Sequence, residues 1–183
     1  MTDSAPPAPE RFYANVCTVI ELAREASKEL RQKGGTSLDD NIIDIATGVL
    51  SRRARDNLIQ LFIEKGHAEC WDKVIDQDSQ FFLANADRLF GSVQGFDLNI
   101  FQDVFRKDAA GKFLLSASLI EDVWDTMAAM VRISIVYIHA SRKPRQMVLD
   151  GQLMNCYTAN FLDQVDIAYH AQKWGIPLSF TGQ

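Results

Sequence analysis

From Arg11 to Lys33 apolar residues return at steps of three and four: Phe12, Val16, Val19, Ile20, Ala23, Ala26 and Leu30. That period winds one stripe along an α-helix, and Glu21, Arg24, Glu25, Lys28 and Arg31 fall on the other face. Gly34-Gly35 predicts the stop, because glycine readily takes the left-handed conformation that closes a helix. Ser37, Asp39 and Asp40 then supply a cap and an acidic first turn, which complement the positive end of a helix dipole. Ile42, Ile45, Ala46, Val49 and Leu50 read as the buried face of this second helix. The pattern re-phases through Ala54, Leu58, Leu61 and Phe62. The spacing allows a bend at Gly48 or at Ser51 to Arg53, or one helix running on to Lys65.

Shorter runs follow. Trp71, Val74 and Ile75 form one, with Asp78-Ser79 as the cap of the next, which holds Phe81, Phe82, Ala86, Leu89 and Phe90 and stops at Gly91. Asp97 can open a helix with Leu98, Phe101, Val104 and Phe105, and Asp108 to Gly111 reads as a turn. Ser118-Leu-Ile-Glu121 has the form of a capping box. It predicts the most apolar helix of the chain, from about Leu119 to Ser141, apolar almost all round and therefore central. Met154, Tyr157, Phe161, Val165, Ala168 and Tyr169 predict a last long helix from about Gln152 to Lys173, closed by Trp174-Gly175-Ile176-Pro177. The expected fold is all-α: a single-domain bundle of six to eight helices around the central apolar helix, over residues 11–177. Residues 1–10 are expected as a disordered tail and 178–183 as a loose one.

Proline placement agrees with this. Three of the five prolines lie in the first ten residues, and after Pro9 the next is Pro144. A chain of 183 residues buries about 70% of its unfolded surface, enough for one core without staples. Nineteen Lys and Arg against 24 Asp and Glu leave a net charge of −5. An acidic balance argues against a general grip on nucleic acid, whose affinity comes from cations that neutralise phosphates. Cys17, Cys70 and Cys156 are three, an odd number, and widely spaced. They read as free thiols of a reducing compartment, the cytoplasm. No stretch reads as a signal peptide or a membrane span.

Phosphate loops, dinucleotide fingerprints, zinc-protease pairs and nucleophile elbows are missing from the sequence. No catalytic residue and no cofactor is expected, and the non-enzymatic reading leads. Glu64-x-x-His67 has the spacing of one pair of a di-iron bundle site, without the second pair or the further carboxylates. Asp166 and His170, at i and i+4, could share a metal or simply pair. His139 suits the negative end of the central helix. Asp72, Asp76 and Asp78 could hold a cation weakly, although a solvated face explains them as well. Two basic patches stand out, Arg52, Arg53 and Arg55, and Arg142, Lys143 and Arg145. Each is too small for strong phosphate binding but could dock an acidic protein surface. Trp71, Phe81, Phe82 and Phe90 crowd into the short helices, where an exposed apolar patch would serve as a protein interface.

Residues 62 to 138 also carry a spaced set: Phe62-Ile63, Trp71, Ile75-Asp76, Asp78 before Phe81-Phe82, Leu89-Phe90, Phe96-Asp97, Phe101, Ser118 and Val123-Trp124. This set is similar to helical proteins of unassigned function encoded by nucleocytoplasmic large DNA viruses of algae and amoebae. The stretch from Ser92 to Gly95 departs from that pattern in lacking a proline. The resemblance implies a virion component or assembly factor, in the host cytoplasm or the virion, and brings no catalytic residue with it. The expected function is protein–protein contact, with a partner protein or by self-association. One alternative is a small-ligand or metal-binding protein or enzyme, with an apolar pocket lined by Met127, Met130, Tyr137 and Tyr157 and with Asp166 and His170 as polar groups. Another is a regulator that receives a partner helix in a groove.

Overall fold

The computed structural model describes residues 5–33, 40–65, 68–90, 102–141, 145–149, 152–156 and 165–178. The fold is all-α. In chain order the helices are α1 (Ala8–Gln32), α2 (Asp40–Ser51), α3 (Arg55–Lys65), a 3₁₀ turn (Ala68–Cys70), α4 (Trp71–Ile75), α5 (Ser79–Ala84), α6 (Ala86–Phe90), α7 (Ala117–Ser141) and α8 (Ile167–Lys173). No helix among the described residues is long and apolar enough to cross a membrane.

α1 begins at Ala8, inside the segment expected as a tail. Pro7 precedes it and Pro9 lies in its first turn. A proline costs nothing there, because the first helical N–H groups have no intrahelical acceptor. Phe12, Val16, Ala26 and Leu30 are buried as the stripe predicts, while Val19 is exposed. The break between α2 and α3 falls at Arg52 to Ala54, one of the two expected bends. Gly34, Gly35, Ser37 and the start of the expected helix, Asp97 to Phe101, lie outside the described residues; of its remainder Gln102 to Val104 are helical and Phe105 is buried.

α7 is central, as its apolar girth requires. α1 packs along it, and α4 and α8 pack against it from other sides. Trp124, Val131, Ser134, Ile135 and Ile138 are buried. The Ser134 hydroxyl donates to the Met130 carbonyl at 2.8 Å, so its burial leaves no donor unmet. Trp124 meets Phe105 and Phe82, with ring centroids at 5.0 and 5.9 Å. The start of α7 differs from the expected capping box. Ser116 precedes the helix, Ser118 lies inside its first turn, and the carboxylate that meets Ser116 is Glu29 of α1. Glu29 accepts from the Ser116 backbone N–H at 2.8 Å and from its hydroxyl at 2.7 Å. A residue from a neighbouring helix thus takes the role that a capping box gives to its own glutamate.

Two helix ends share one device. After α4, the Asp78 N–H donates to the Lys73 carbonyl and the Gln77 N–H to Val74, with Gln77 at φ 50°. After α8, Ile176 donates to Ala171 and Gly175 to Gln172, with Gly175 at φ 61°. Both are Schellman closures, one using glycine and one using glutamine at the left-handed position. Asp78 caps α5 as predicted, accepting from the Phe81 N–H at 2.9 Å.

The expected long helix from Gln152 to Lys173 does not form. Arg145–Leu149 (β1) and Gln152–Cys156 (β2) pair antiparallel, with Leu149 opposite Gln152; the described helix of the expected span is α8, and residues 157–164 lie outside the described residues. Asp150-Gly151 separates the strands in the sequence, and that dipeptide between apolar runs is a strong hairpin signal. α8 starts where Asp166 accepts from the Tyr169 N–H at 3.1 Å.

Candidate functional site

Among the described residues, α2 is anchored on one side. Ile43 is buried and Leu50 packs against the core, and Arg24 of α1 meets Asp44 at 2.7 Å. On the opposite side Ile45 is 67% exposed and Val49 is 48% exposed. This corrects the expected buried face, which included both residues. The helix holds two overlapping apolar lines, and α1 covers the one through Ile43 and Leu50. Ile45 and Val49 are four residues apart and so project from one face. A Cβ placed on Gly48 would meet no atom of the described residues within 4 Å, so the helix surface there is open. Exposed Asn41 at one end and exposed Arg52 and Arg53 at the other frame the patch.

Of the aromatic residues expected at an interface, Trp71 and Phe82 belong to the core. Trp71 and Phe82 are buried and Phe81 is half-buried, packed against Phe82 at 5.5 Å between ring centroids. Their spacing marked an apolar face correctly, but α7 already covers it. Phe90 ends α6, and its side chain lies outside the described residues. In the first basic patch Arg55 is committed internally: its guanidinium sits 3.2 Å from the Tyr13 ring centroid and 3.7 Å from Glu10. Arg52 and Arg53 remain exposed. Arg142 and Lys143 lie outside the described residues, and of Arg145 only the backbone in β1 is described.

The expected metal pair is replaced by a different constellation. Asp166 is engaged as the cap of α8, while His170 is buried and faces Asp72 of α4, Nδ1 to Oδ1 at 3.9 Å. Tyr169 donates its hydroxyl to the other oxygen of Asp72, and the Trp71 ring lies 5.2 Å from the imidazole. Asp72 Oδ1, His170 Nδ1 and the indole nitrogens of Trp71 and Trp174 are buried with no hydrogen-bond partner among the described residues. Burial pushes the His170 pKa down, against the pull of Asp72 and Asp166, so the imidazole is held neutral. The hydrogen bond to Asp72 pushes the Tyr169 phenol up. The arrangement fastens α8 to α4 through a neutral imidazole between aromatic rings.

Asp72, Asp76 and Asp78 do not converge. Asp72 turns toward α8, Asp76 follows the end of α4, and Asp78 caps α5 and meets Lys73 at 3.0 Å. Among the described residues no three His, Cys, Asp or Glu side chains gather to hold a metal. Glu64 is exposed beside Lys65, and His67 lies outside the described residues. His139 sits in the last turn of α7, where its dipole role was expected. Of the residues expected to line an apolar pocket, Met130 and Tyr137 are buried in the core and Met127 packs against it. The Tyr137 hydroxyl accepts from Gln60 at 2.8 Å. Tyr157 lies outside the described residues. An open cleft of about 390 Å³ does run between α1 and α7, over Leu22 and Thr126, but Glu21, Glu25, Asp122 and Asp125 line it and make it acidic.

Compared with known proteins, the chain matches no protein family, no curated protein sequence and no solved structure.

Proposed function

We propose that the protein works by protein–protein contact, as a helical interaction or structural protein, with the outward face of α2 as its docking surface. The observation that carries this reading is the exposure of Ile45 and Val49 on one helix face, 67% and 48%. Single exposed apolar residues are ordinary on any protein. Here a short helix is apolar on two faces and its own chain covers one of them. Apolar area removed from water on docking drives association at about 25 cal/mol per Å² before its entropic costs. The resemblance to helical proteins of large DNA viruses makes a virion component or assembly factor the cellular form of this role.

The experiment is affinity capture with the intact chain, run in parallel with an Ile45→Asp, Val49→Asp double variant. Both positions are exposed, so the variant keeps its helical circular dichroism. Copies of the chain or a partner are retained by the natural protein and lost by the variant. Equal capture by both proteins overturns the reading.

A further inference from the structure

Resting on that reading, the pattern along α2 identifies its occupant: we infer that the face binds the same face of a second copy of this chain, antiparallel, about a two-fold axis beside Gly48.

The argument begins with charge. The chain as a whole is at −5, so two copies carry a net repulsion that a neutral patch avoids. Residues 40–53 carry Asp40 and Asp44 against Arg52 and Arg53, two of each sign and no net charge. The signs are also separated along the helix. The acids belong to its start and the arginines follow its end, with Ile45 and Val49 between them. Such a segment is self-complementary in one orientation. A parallel pairing sets acid against acid and arginine against arginine, whereas an antiparallel pairing sets each acidic end against the other copy's basic end.

Register follows from the numbering. Gly48 lies midway between Asp44 and Arg52, four residues from each. A two-fold axis beside Gly48 therefore puts Asp44 of one copy level with Arg52 of the other, twice per dimer. At about 1.5 Å of rise per residue each of these positions is about 6 Å from the axis. The open space over Gly48 lets the two helices approach closely, because the distance between packed helices is set by the side chains at the crossing. Ile45 and Val49 of both copies then close over one another. The same patch on both partners makes the interface isologous, and it ends at a dimer. One helix per partner buries less than about 1,200 Å², so the association is weak and concentration-dependent. Asp44 already meets Arg24 of its own chain, and its side chain is 69% exposed, which leaves it free to accept from a second cation.

The test is absolute mass by size-exclusion chromatography with light scattering, from low micromolar to submillimolar chain. The expected mass rises with concentration from 20.6 kDa toward twice that value, and Ile45→Asp abolishes the rise. Asp44→Arg and Arg52→Asp each weaken self-association about tenfold, since each meets its own copy with like charges at two places. Mixed one to one, these two variants pair with each other and the mass rises again. In the mixed dimer the introduced arginine faces the introduced aspartate, and the natural Asp44 of one variant faces the natural Arg52 of the other. Arg52 lies beyond the helix and is exposed, so its substitution leaves folding intact. A clean monomer at every concentration overturns the inference, as does a dimer indifferent to Ile45→Asp or a mixture that fails to recover. If the chain is monomeric but a different protein is captured through Ile45 and Val49, the two-fold pairing fails and the interaction reading stands. If nothing is captured either, both fail.

Discussion

α7 and α2 are both apolar beyond a single stripe, and they end in opposite situations. α7 is met by α1, α4 and α8, so that Ile120, Trp124, Val131, Ile135 and Ile138 are all buried. α2 leans on α1 and shows Ile45 and Val49 to solvent. The two helices differ in their neighbours more than in their chemistry. Periodicity states how much of a helix wants cover, and the rest of the chain decides which part receives it. Where cover runs out, an apolar face becomes a surface for something else.

The largest expected effect lies in the covered helix. Trp124 is 3% exposed and stacks on Phe105 and Phe82. Trp124→Ala removes the hub of that stack and leaves a cavity, for a loss of about 3–5 kcal/mol. Urea unfolding followed by far-ultraviolet circular dichroism reads it as a large drop in midpoint or as a chain that no longer folds. A loss within the range of a surface substitution would show that α7 is not the centre of the core.

The contact of α1 with α7 is sharpened at its end. Burial pushes the Glu29 carboxyl up, but the hydrogen bonds from Ser116 and the nearby Lys33 outweigh it, and the net direction is down. Glu29→Ala leaves Ser116 without its acceptor and costs about 1–2 kcal/mol. Because the folded pKa is depressed, the contribution is complete above the ordinary carboxylate range and is lost as pH falls through the folded value. The gap between Glu29→Ala and the natural protein therefore closes in acid. A gap that stays constant with pH would mean that the side chain acts by packing alone.

Much of this frame is legible along the chain, and its failures have physical causes. α1 and α7 are long enough for one period to dominate, so their existence and nearly all of their extents are read directly. α2 carries two interleaved lines, one through Ile43 and Leu50 and one through Ile45 and Val49, and a twelve-residue helix holds too few turns to choose between them. The C-terminal region misleads differently: Met154 sits at helical spacing from the apolar residues that follow it but lies in β2, and Asp150-Gly151 between apolar runs is the local signal of the hairpin. The pairing of Asp72 with His170 has no local signature, because it joins two short helices far apart in sequence. His170 looks paired with Asp166 at i and i+4, but Asp166 is needed at the end of α8 and its carboxylate turns to the Tyr169 N–H.

That buried imidazole gives a smaller, pH-dependent effect. Its pKa lies below the ordinary value of 6.5, first because burial opposes the charged form. The unfolded chain takes up a proton near 6.5 and the folded chain resists it. The stabilising contribution of neutral His170 is thus complete above that value and is lost as pH falls below it. Urea midpoints measured from about pH 7.5 down to about pH 5.5, above the ordinary carboxylate range, should fall for the natural protein. A His170→Phe variant keeps an aromatic ring in place and should show a flatter profile over the same window. Equal slopes would show that the imidazole is not held neutral between Trp71 and Tyr169.

The smallest effect is the one that tests the uncovered face. Ile45→Ala should change the folding stability of the monomer by no more than about 0.5 kcal/mol, the range of surface substitutions that touch nothing. Alanine is also the better helix former, so a slight gain is the expected sign. The measurement must be made in dilute solution, below the concentration at which copies associate, since any dimer stabilises the folded state by mass action. Repeated at high concentration, the natural protein should unfold later than it does when dilute, and Ile45→Ala should lose most of that difference. A loss of several kcal/mol in dilute solution would mean that Ile45 is held by its own chain. α2 would then be a covered helix like α7, and its outward face would have nothing to offer a second copy.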